Sequence, residues 1–275
     1  MLGSRFHSQS RQLRSDVPLD NAQIMAVAPS VFASAEHDSR SDRYRYISTG
    51  VVLEQLRNEG FQPFMAAQTR SRDADRREFT KHMLRLRHAD SINSTEAQEV
   101  ILLNSHDGTS SWQMLSGVFR FVCCNGLVCG DIGIDIRVRH KGTDVADRVI
   151  EGAYEVVQGF DRITASRDDM AAITLSRPEA EVFAQSALVA KYGEGHVPLM
   201  PEQVLMPRRW EDTGSDLWSV FNRVQENLSR GGLSGHTATG KARRTRAVEG
   251  ITASVTLNRA LWSLAEGMKA LKQAA

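Results

Sequence analysis

Cysteine and long hydrophobic runs are scarce in this 275-residue chain. Its three cysteines, Cys123, Cys124 and Cys129, lie together in one apolar stretch, which excludes the disulfide framework of a small secreted protein. No window approaches the roughly 20 apolar residues that a membrane-spanning helix needs, and the first residues lack the apolar centre of a secretory signal. We therefore expect a cytoplasmic protein with no membrane partner.

Net charge is also nearly absent. The chain has 34 Lys and Arg against 33 Asp and Glu, a formal net charge of +1, so an electrostatic partner would have to recognise a local patch. Because 41% of the residues are hydrophobic, the chain can bury a core of its own. Folding therefore needs no metal, cofactor or disulfide.

Recognisable catalytic motifs are missing as well. The chain has no P-loop, dinucleotide fingerprint, HExxH or paired-carboxylate motif, so we expect no enzyme activity, no cofactor and no metal. Zinc ligation by the cysteines and His140 is disfavoured because the spacing lacks matched ligand pairs. The run NSHDGTSS, residues 104 to 111, could suggest a hydrolase built on His106 and Asp107, but a hydroxyl-rich turn at Asp107-Gly108 explains it better.

The hydropathy pattern predicts an α+β fold with a central antiparallel sheet, flanking amphipathic helices and a helical C-terminal third. A helix is expected after Thr49, ending at Gly60, and another from Val145 to Phe160. A third helix begins at the capping box of Ser176 and Glu179 and ends at Gly193. The expected strands span residues 64–69, 82–88, 100–104, 112–124 and 134–140, with a turn at Asn125-Gly126.

Two regions follow from this pattern. Residues 1–193 form the sheet domain, whose N-terminal part to about Arg45 is expected to be rich in loops, and residues 208–275 form a helical region that can pack with it as one domain. The segment from Glu194 to Pro207 has three prolines and is interpreted as a linker. A further helix ends at Gly231, and the last one spans residues 257–271.

Arginines recur on alternate positions of three predicted strands. In HMLRLRH, Leu84 and Leu86 would face the core, whereas Arg85 and Arg87 would point to the other side. The same alternation sets Arg120, Arg137 and Arg139 on the side away from the core. Arginine binds phosphate through two parallel hydrogen bonds, although one face of an antiparallel sheet is often simply solvated and polar.

The strongest charge asymmetry lies in SRGGLSGHTATGKARRTR. Lys241, Arg243, Arg244 and Arg246 belong to a stretch that has no acid between Glu226 and Glu249. Flexible basic segments of this kind bind nucleic-acid backbones by releasing counterions, although a solvated loop would have the same composition. Trp210 and the other scattered aromatics are interpreted as core or rim packing.

Five segments resemble a known family: LRNEGFQPFMAAQTRSRD, EVILLNSHDGTSSWQML, GVFRFVCCNGLVCG, MPRRWEDTGSDLW and RVQENLSRGGLSG. They are similar to the YfjQ/YubP-type proteins of prophages and plasmids, which have a domain of unknown function, and the similarity covers nearly the whole chain. The resemblance implies a bacterial protein of a mobile element. It supplies no site residues.

The leading hypothesis is a non-catalytic nucleic-acid-binding protein that binds or anneals single-stranded DNA, as a homo-oligomer, in plasmid or prophage maintenance. The sheet arginines would line a groove, and the basic segment would act as a mobile clamp. The alternative is an anti-defence or regulatory protein whose arginines contact an acidic surface of a host protein. A hydrolase built on His106 and Asp107 ranks last.

Overall fold

Residues between Phe61 and Val138 form most of a sheet in the computed structural model, which describes residues 10–41, 44–88, 96–120, 125–128, 135–138 and 145–274. The expected α+β class is confirmed. The strands are β1 (Ser10–Arg14), β2 (Phe61–Thr69), β3 (His82–His88), β4 (Glu96–Asn104), β5 (Trp112–Arg120), β6 (Asn125–Val128), β7 (Asp135–Val138), β8 (Ser234–His236) and β9 (Ala242–Arg244). The helices are α1 (Asn21–Val27), α2 (Thr49–Asn58), α3 (Val145–Gln158), α4 (Phe160–Ala172), α5 (Arg177–Tyr192), α6 (Pro201–Leu205), α7 (Leu217–Arg230) and α8 (Ile251–Ala274).

From β1 to β6 the sheet is a meander in which neighbours in sequence are neighbours in space. Its order is β1-β2-β3-β4-β5-β6, and β7 pairs with the Trp112–Leu115 part of β5. Strands β1 to β5 pair antiparallel with one another in turn. Helix α3 packs on this sheet, where its Gly152 leaves room for Met114 and Ile136.

Several elements depart from the expected pattern. The N-terminal part contains β1, whose sequence SRQLR has no apolar alternation and which is recruited by pairing with β2. Asn125-Gly126 begins β6 instead of forming a separate turn. The predicted linker holds α6 because Pro201 stands at the first helical position, where a missing N–H costs no hydrogen bond.

The helix boundaries follow local capping chemistry. Glu179 Oε2 accepts from the Ser176 amide at 2.7 Å, which confirms the predicted capping box of α5. The same helix ends at Gly193, whose φ of 82° suits a residue without a side chain. The helix expected from Val145 to Phe160 is confirmed as α3, which ends at Gln158, and Phe160 begins α4, which was not predicted.

The chain divides into two compact units, residues 1–127 with 133–160 and 249–251, and residues 128–132 with 161–248 and 252–275. The Pro-rich stretch 194–207 therefore lies inside the second unit. The second unit has an aromatic core in which Trp218 and Phe221 of α7 pack on Trp262 of α8, with ring centroids 6.3 and 6.0 Å from the Trp262 centroid.

Candidate nucleic-acid interface

The sheet arginines of β3 lie where alternation places them, but they are not on a solvated face. Arg85 pairs in register with Ile101, on the face opposite the one that Leu84 and Leu102 share. The expectation that this face is open is wrong, because Ile101 and Leu103, which share it, are buried as well. Arg85 is 4% exposed and Arg87 3% exposed.

Glu99 explains how the two guanidinium groups tolerate burial. Its carboxylate is fully buried, and it accepts from Arg85 Nε through one oxygen and from Arg87 Nε, at 2.9 Å, through the other. The Arg87 guanidinium also lies 4.4 Å from the ring centroid of Phe64, a cation–π distance. This Arg85–Glu99–Arg87 triad borders a cavity of about 90 Å³. These two guanidinium groups are thus paired with a buried carboxylate of the protein.

Two of the other sheet arginines hold defined register positions in β5 and β7. Arg120 holds the register position opposite Glu96, and Arg137 the position opposite Gln113. Alternation assigns these two positions to different faces of the sheet. Arg139 lies outside the described residues. By register, the position of Arg137 lies on the same face as that of Arg85, and the position of Arg120 lies on the other face.

The acid-free basic segment folds as a hairpin, not as an irregular loop. Strands β8 and β9 pair antiparallel, with Gly235 opposite Arg243 and Ser234 opposite Arg244. The connecting turn is closed because the Gly240 amide donates to the Thr237 carbonyl at 2.9 Å and the Thr237 amide to the Lys241 carbonyl at 2.9 Å. We call residues 233–246 the basic hairpin.

The basic hairpin is anchored along one side to residues 196–203. The His236 amide donates to the Pro198 carbonyl at 3.1 Å, and Gln203 Nε2 donates to the Ser234 carbonyl at 2.7 Å. A side chain at Gly235 would place its Cβ 2.1 Å from the Pro198 oxygen, so only glycine permits this approach. The anchored side leaves the charged strand β9 in solvent.

Four cations of the basic hairpin face water. The side chains of Lys241, Arg243, Arg244 and Arg246 are exposed, and within the described part of the chain none forms an ion pair with an acid. Arg243 and Arg244 are adjacent in a strand and therefore point to opposite sides of it. Arg243 also lies close enough to Tyr192 to oppose the rise in its pKa that burial causes.

Arginines at the base of the basic hairpin are, in contrast, paired. Glu226 is buried and binds both Arg209 and Arg230, the latter at 3.1 Å. Arg208 donates from Nε to Asn227 at 2.6 Å and from Nη2 to the Gly231 carbonyl at 2.5 Å. These contacts fix the segment 208–212 against the C-terminal end of α7. The charge that remains available is that of β9 and its flanks.

The segment NSHDGTSS belongs to a buried polar cluster. His106 is fully buried and Asp107 is 5% exposed, so neither side chain is presented to a substrate. Asp107 Oδ1 accepts from the Thr109 amide at 3.0 Å and from its hydroxyl at 2.6 Å, and Gly108 has a φ of 77°. This confirms the turn predicted at Asp107-Gly108.

His82 is the centre of the same cluster. Asn104 donates to Thr49 Oγ1, which leaves the Thr49 hydroxyl to donate to His82 Nε2 at 2.9 Å. The other ring nitrogen then has the proton and donates to Ser30 Oγ at 2.8 Å. Burial, and secondly the neighbouring His106, holds the His82 pKa well below its usual 6.5. The hydrogen bonds thus suit a neutral, structural imidazole.

Among the described residues, no group of three or more His, Cys, Asp or Glu side chains could hold a metal ion. The cysteines and His140 considered as zinc ligands lie outside that part. The helices that the structure describes include none with the length and hydrophobicity to cross a bilayer.

Sequence patterns missed two residues of interest. Glu99 could have been found from the apolar run Val100–Leu103 that follows it, because an unbroken apolar run indicates a strand buried on both faces. An acid next to such a strand is expected to be buried and to form an ion pair with nearby arginines. Trp210, expected to pack in the core or at its rim, is 79% exposed. No local pattern distinguishes an exposed tryptophan from a buried one.

The fold and this surface define an α+β protein with an anchored, cationic hairpin. The chain belongs to the family described as domain of unknown function (DUF932), whose model matches residues 36–262. It is 53% identical over 267 residues to the UPF0380 protein YafZ of Escherichia coli (strain K12), and the matched region covers 97% of each chain. It is also 53% identical over 265 residues to the UPF0380 protein YfjQ of the same organism, and the matched region covers 96% of each chain. No solved structure matches the chain significantly.

Proposed function

We propose that this protein binds nucleic acid, single-stranded DNA in preference, through the basic hairpin, and that it does so in the maintenance of a plasmid or prophage. The observation that carries the proposal is the set of four exposed cations on an anchored hairpin, without acidic partners in the described part of the chain. Phosphate contacts by such groups release counterions and need no particular base sequence.

The hairpin replaces the sheet groove in this proposal. Arg85 and Arg87 are both ion-paired with Glu99 and buried, so reaching phosphate would require opening the sheet. The basic hairpin needs no rearrangement. Its paired strands also fix the spacing of its cations before a ligand arrives, which lowers the entropy lost on binding.

The direct test is a fluorescence-anisotropy titration of a single-stranded oligonucleotide at several salt concentrations. With up to four phosphate contacts, log K should fall with log salt with a slope of about −3, and each cation replaced by Gln should reduce that slope by about 0.7. No binding at low salt to any oligonucleotide, single-stranded or duplex, would overturn the proposal.

A matched control distinguishes binding at the basic hairpin from general attraction of DNA to positive charge. Arg243→Gln with Arg244→Gln removes two charges from the basic hairpin, and Arg162→Gln with Arg177→Gln removes two exposed charges elsewhere in the same unit, of which Arg177 is paired with Glu181. In the first double variant the slope of log K against log salt should be smaller in magnitude by about 1.4, and in the second it should stay near the wild-type value. An equal loss in both pairs would indicate general attraction to a positive protein.

The same cations could instead contact an acidic surface of a host protein, as an anti-defence or regulatory factor would. Capture of a host protein that survives nuclease treatment and is lost with Arg243→Gln and Arg244→Gln would favour that alternative. Annealing requires in addition that the protein assemble on DNA. Measuring its size with and without single strands tests this part, and a monomer of unchanged size would exclude a ring or filament.

A further inference from the structure

The second unit exposes one large aromatic side chain. Of the four tryptophans, Trp112 and Trp262 are fully buried and Trp218 is 8% exposed, whereas Trp210 is 79% exposed. Single exposed apolar residues are common on protein surfaces. The meaning of Trp210 therefore depends on how it is held and on what lies beside it.

Trp210 is mounted on a fixed turn. It begins a short 3-10 helix, Trp210–Asp212, whose C-cap Thr213 donates to the Trp210 carbonyl from its amide at 3.2 Å and from its hydroxyl at 2.8 Å. The preceding residue, Arg209, is ion-paired with Asp212 at 3.3 Å and with Glu226. The backbone is thus restrained on both sides of an indole that remains in water.

The same segment joins Trp210 to the basic hairpin. Arg208 donates to the carbonyl of Gly231, two residues before the hairpin begins. Trp210 follows Arg208 by two residues, so their Cα atoms are at most about 7.6 Å apart. Gly231 in turn lies against the backbone of Arg246, so a single-stranded site of four or more nucleotides would reach both this end of the basic hairpin and the indole.

We propose that Trp210 stacks on an unpaired base of the strand whose phosphates the basic hairpin binds, which rests on the function proposed above. Every base has a π-face, so stacking on an exposed aromatic is tolerant of sequence. In a duplex those faces are already stacked on neighbouring bases. Trp210 therefore supplies preference for single strands, and the four cations supply affinity that both forms share.

The test compares Trp210→Ala with the wild type on a thymidine 20-mer and on a 20-base-pair duplex, each at the same series of salt concentrations. Affinity for the single strand should fall about tenfold, and affinity for the duplex should change less than twofold. The salt dependence should keep its slope, because no charge is lost. Trp210→Phe, which retains an aromatic face, should recover most of the single-strand affinity.

Intrinsic fluorescence gives a second measurement. Because the other three tryptophans are buried, quenching by the thymidine 20-mer should come from Trp210 and disappear in Trp210→Phe. Equal thermal midpoints of wild type and variants control for folding.

The possible failures are distinguishable. A wild-type protein that binds no oligonucleotide overturns both proposals. A wild type that binds with the expected salt slope, while Trp210→Ala loses nothing or loses single strand and duplex alike, overturns only the role of Trp210. Loss of a captured host protein with Trp210→Ala, at unchanged DNA affinity, would also overturn it and make the indole a protein contact.

Discussion

Two strands of this protein, β3 and β9, each have two arginines but lie in opposite environments. Arg85 and Arg87 in LRLRH are buried and bound to Glu99, whereas Arg243 and Arg244 in ARRTR are exposed and have no acidic partner in the described residues. Alternation tells which side of a strand a residue takes. Whether that side meets water depends on the neighbouring strands.

The neighbours of the two strands differ in composition. Beside β3 lies β4, whose unbroken run Val100–Leu103 supplies apolar side chains to both faces of the sheet. Among the described strands, β9 pairs only with β8, whose sequence SGH has nothing apolar to cover an arginine. The same residue type is thus a structural ion pair in one strand and a candidate ligand contact in the other.

The largest effect that this comparison predicts is at Glu99. Glu99→Gln keeps the shape of the side chain and leaves two buried guanidinium groups without their counter-charge, so the free energy of unfolding should fall by about 3–5 kcal/mol. Urea denaturation measures it. Glu54→Gln is the control, because it removes an exposed carboxylate paired with Arg57 at 2.8 Å and should cost less than about 1 kcal/mol. Equal losses would mean that burial does not distinguish the two ion pairs.

Much of the fold could be predicted from the sequence where local pattern and tertiary context agree. The bounds of β3, the capping box of α5 and the turn at Gly108 follow from alternation, from Ser-x-x-Glu and from Asp-Gly. Strand β1 could not be predicted, because pairing with β2 and not its own side chains makes it a strand.

The site was less predictable than the fold. The four cations of the basic hairpin were identified from their charge alone, but the glycines around them suggested a flexible loop. Gly235 is instead required by the close approach to Pro198, a contact that residues 37 positions apart make only after folding. Composition shows that glycine is present, but it does not show whether the glycine gives a flexible loop or permits a close backbone contact.

The second effect tests whether the basic hairpin needs its shape or only its charge. Gly235→Ala places a Cβ against the Pro198 carbonyl, so the hairpin must shift, at a cost of about 1–3 kcal/mol in unfolding free energy. Oligonucleotide affinity should fall although no charge changes. Gly267→Ala in α8, where a Cβ meets nothing within 4 Å, should be neutral or slightly stabilising. Unaltered affinity in Gly235→Ala would favour a flexible clamp.

The third effect extends the comparison to a buried group that avoids charge. The His82 pKa is held well below 6.5 by burial. Below pH 6.5 the His82 imidazole is therefore protonated in the unfolded chain but stays neutral in the folded protein. Stability should therefore fall with decreasing pH, by up to about 1.4 kcal/mol per unit. Urea titrations at pH 7.5, 6.5 and 5.5 measure the slope. His82→Gln should flatten it, and an unchanged slope would assign the titration to another group.

The smallest effect is the most informative about function. Arg243→Gln and Arg244→Gln should each change the unfolding free energy by less than about 0.5 kcal/mol, because an exposed side chain without an ion pair contributes little to folding. A charge that folding does not use is available to a ligand, whereas the arginines beside Glu99 are already occupied. Thermal and urea denaturation of the two variants decide the point. A loss above 1 kcal/mol in either would show that the exposed arginines are structural too, and the contrast between β3 and β9 would then no longer support a binding surface.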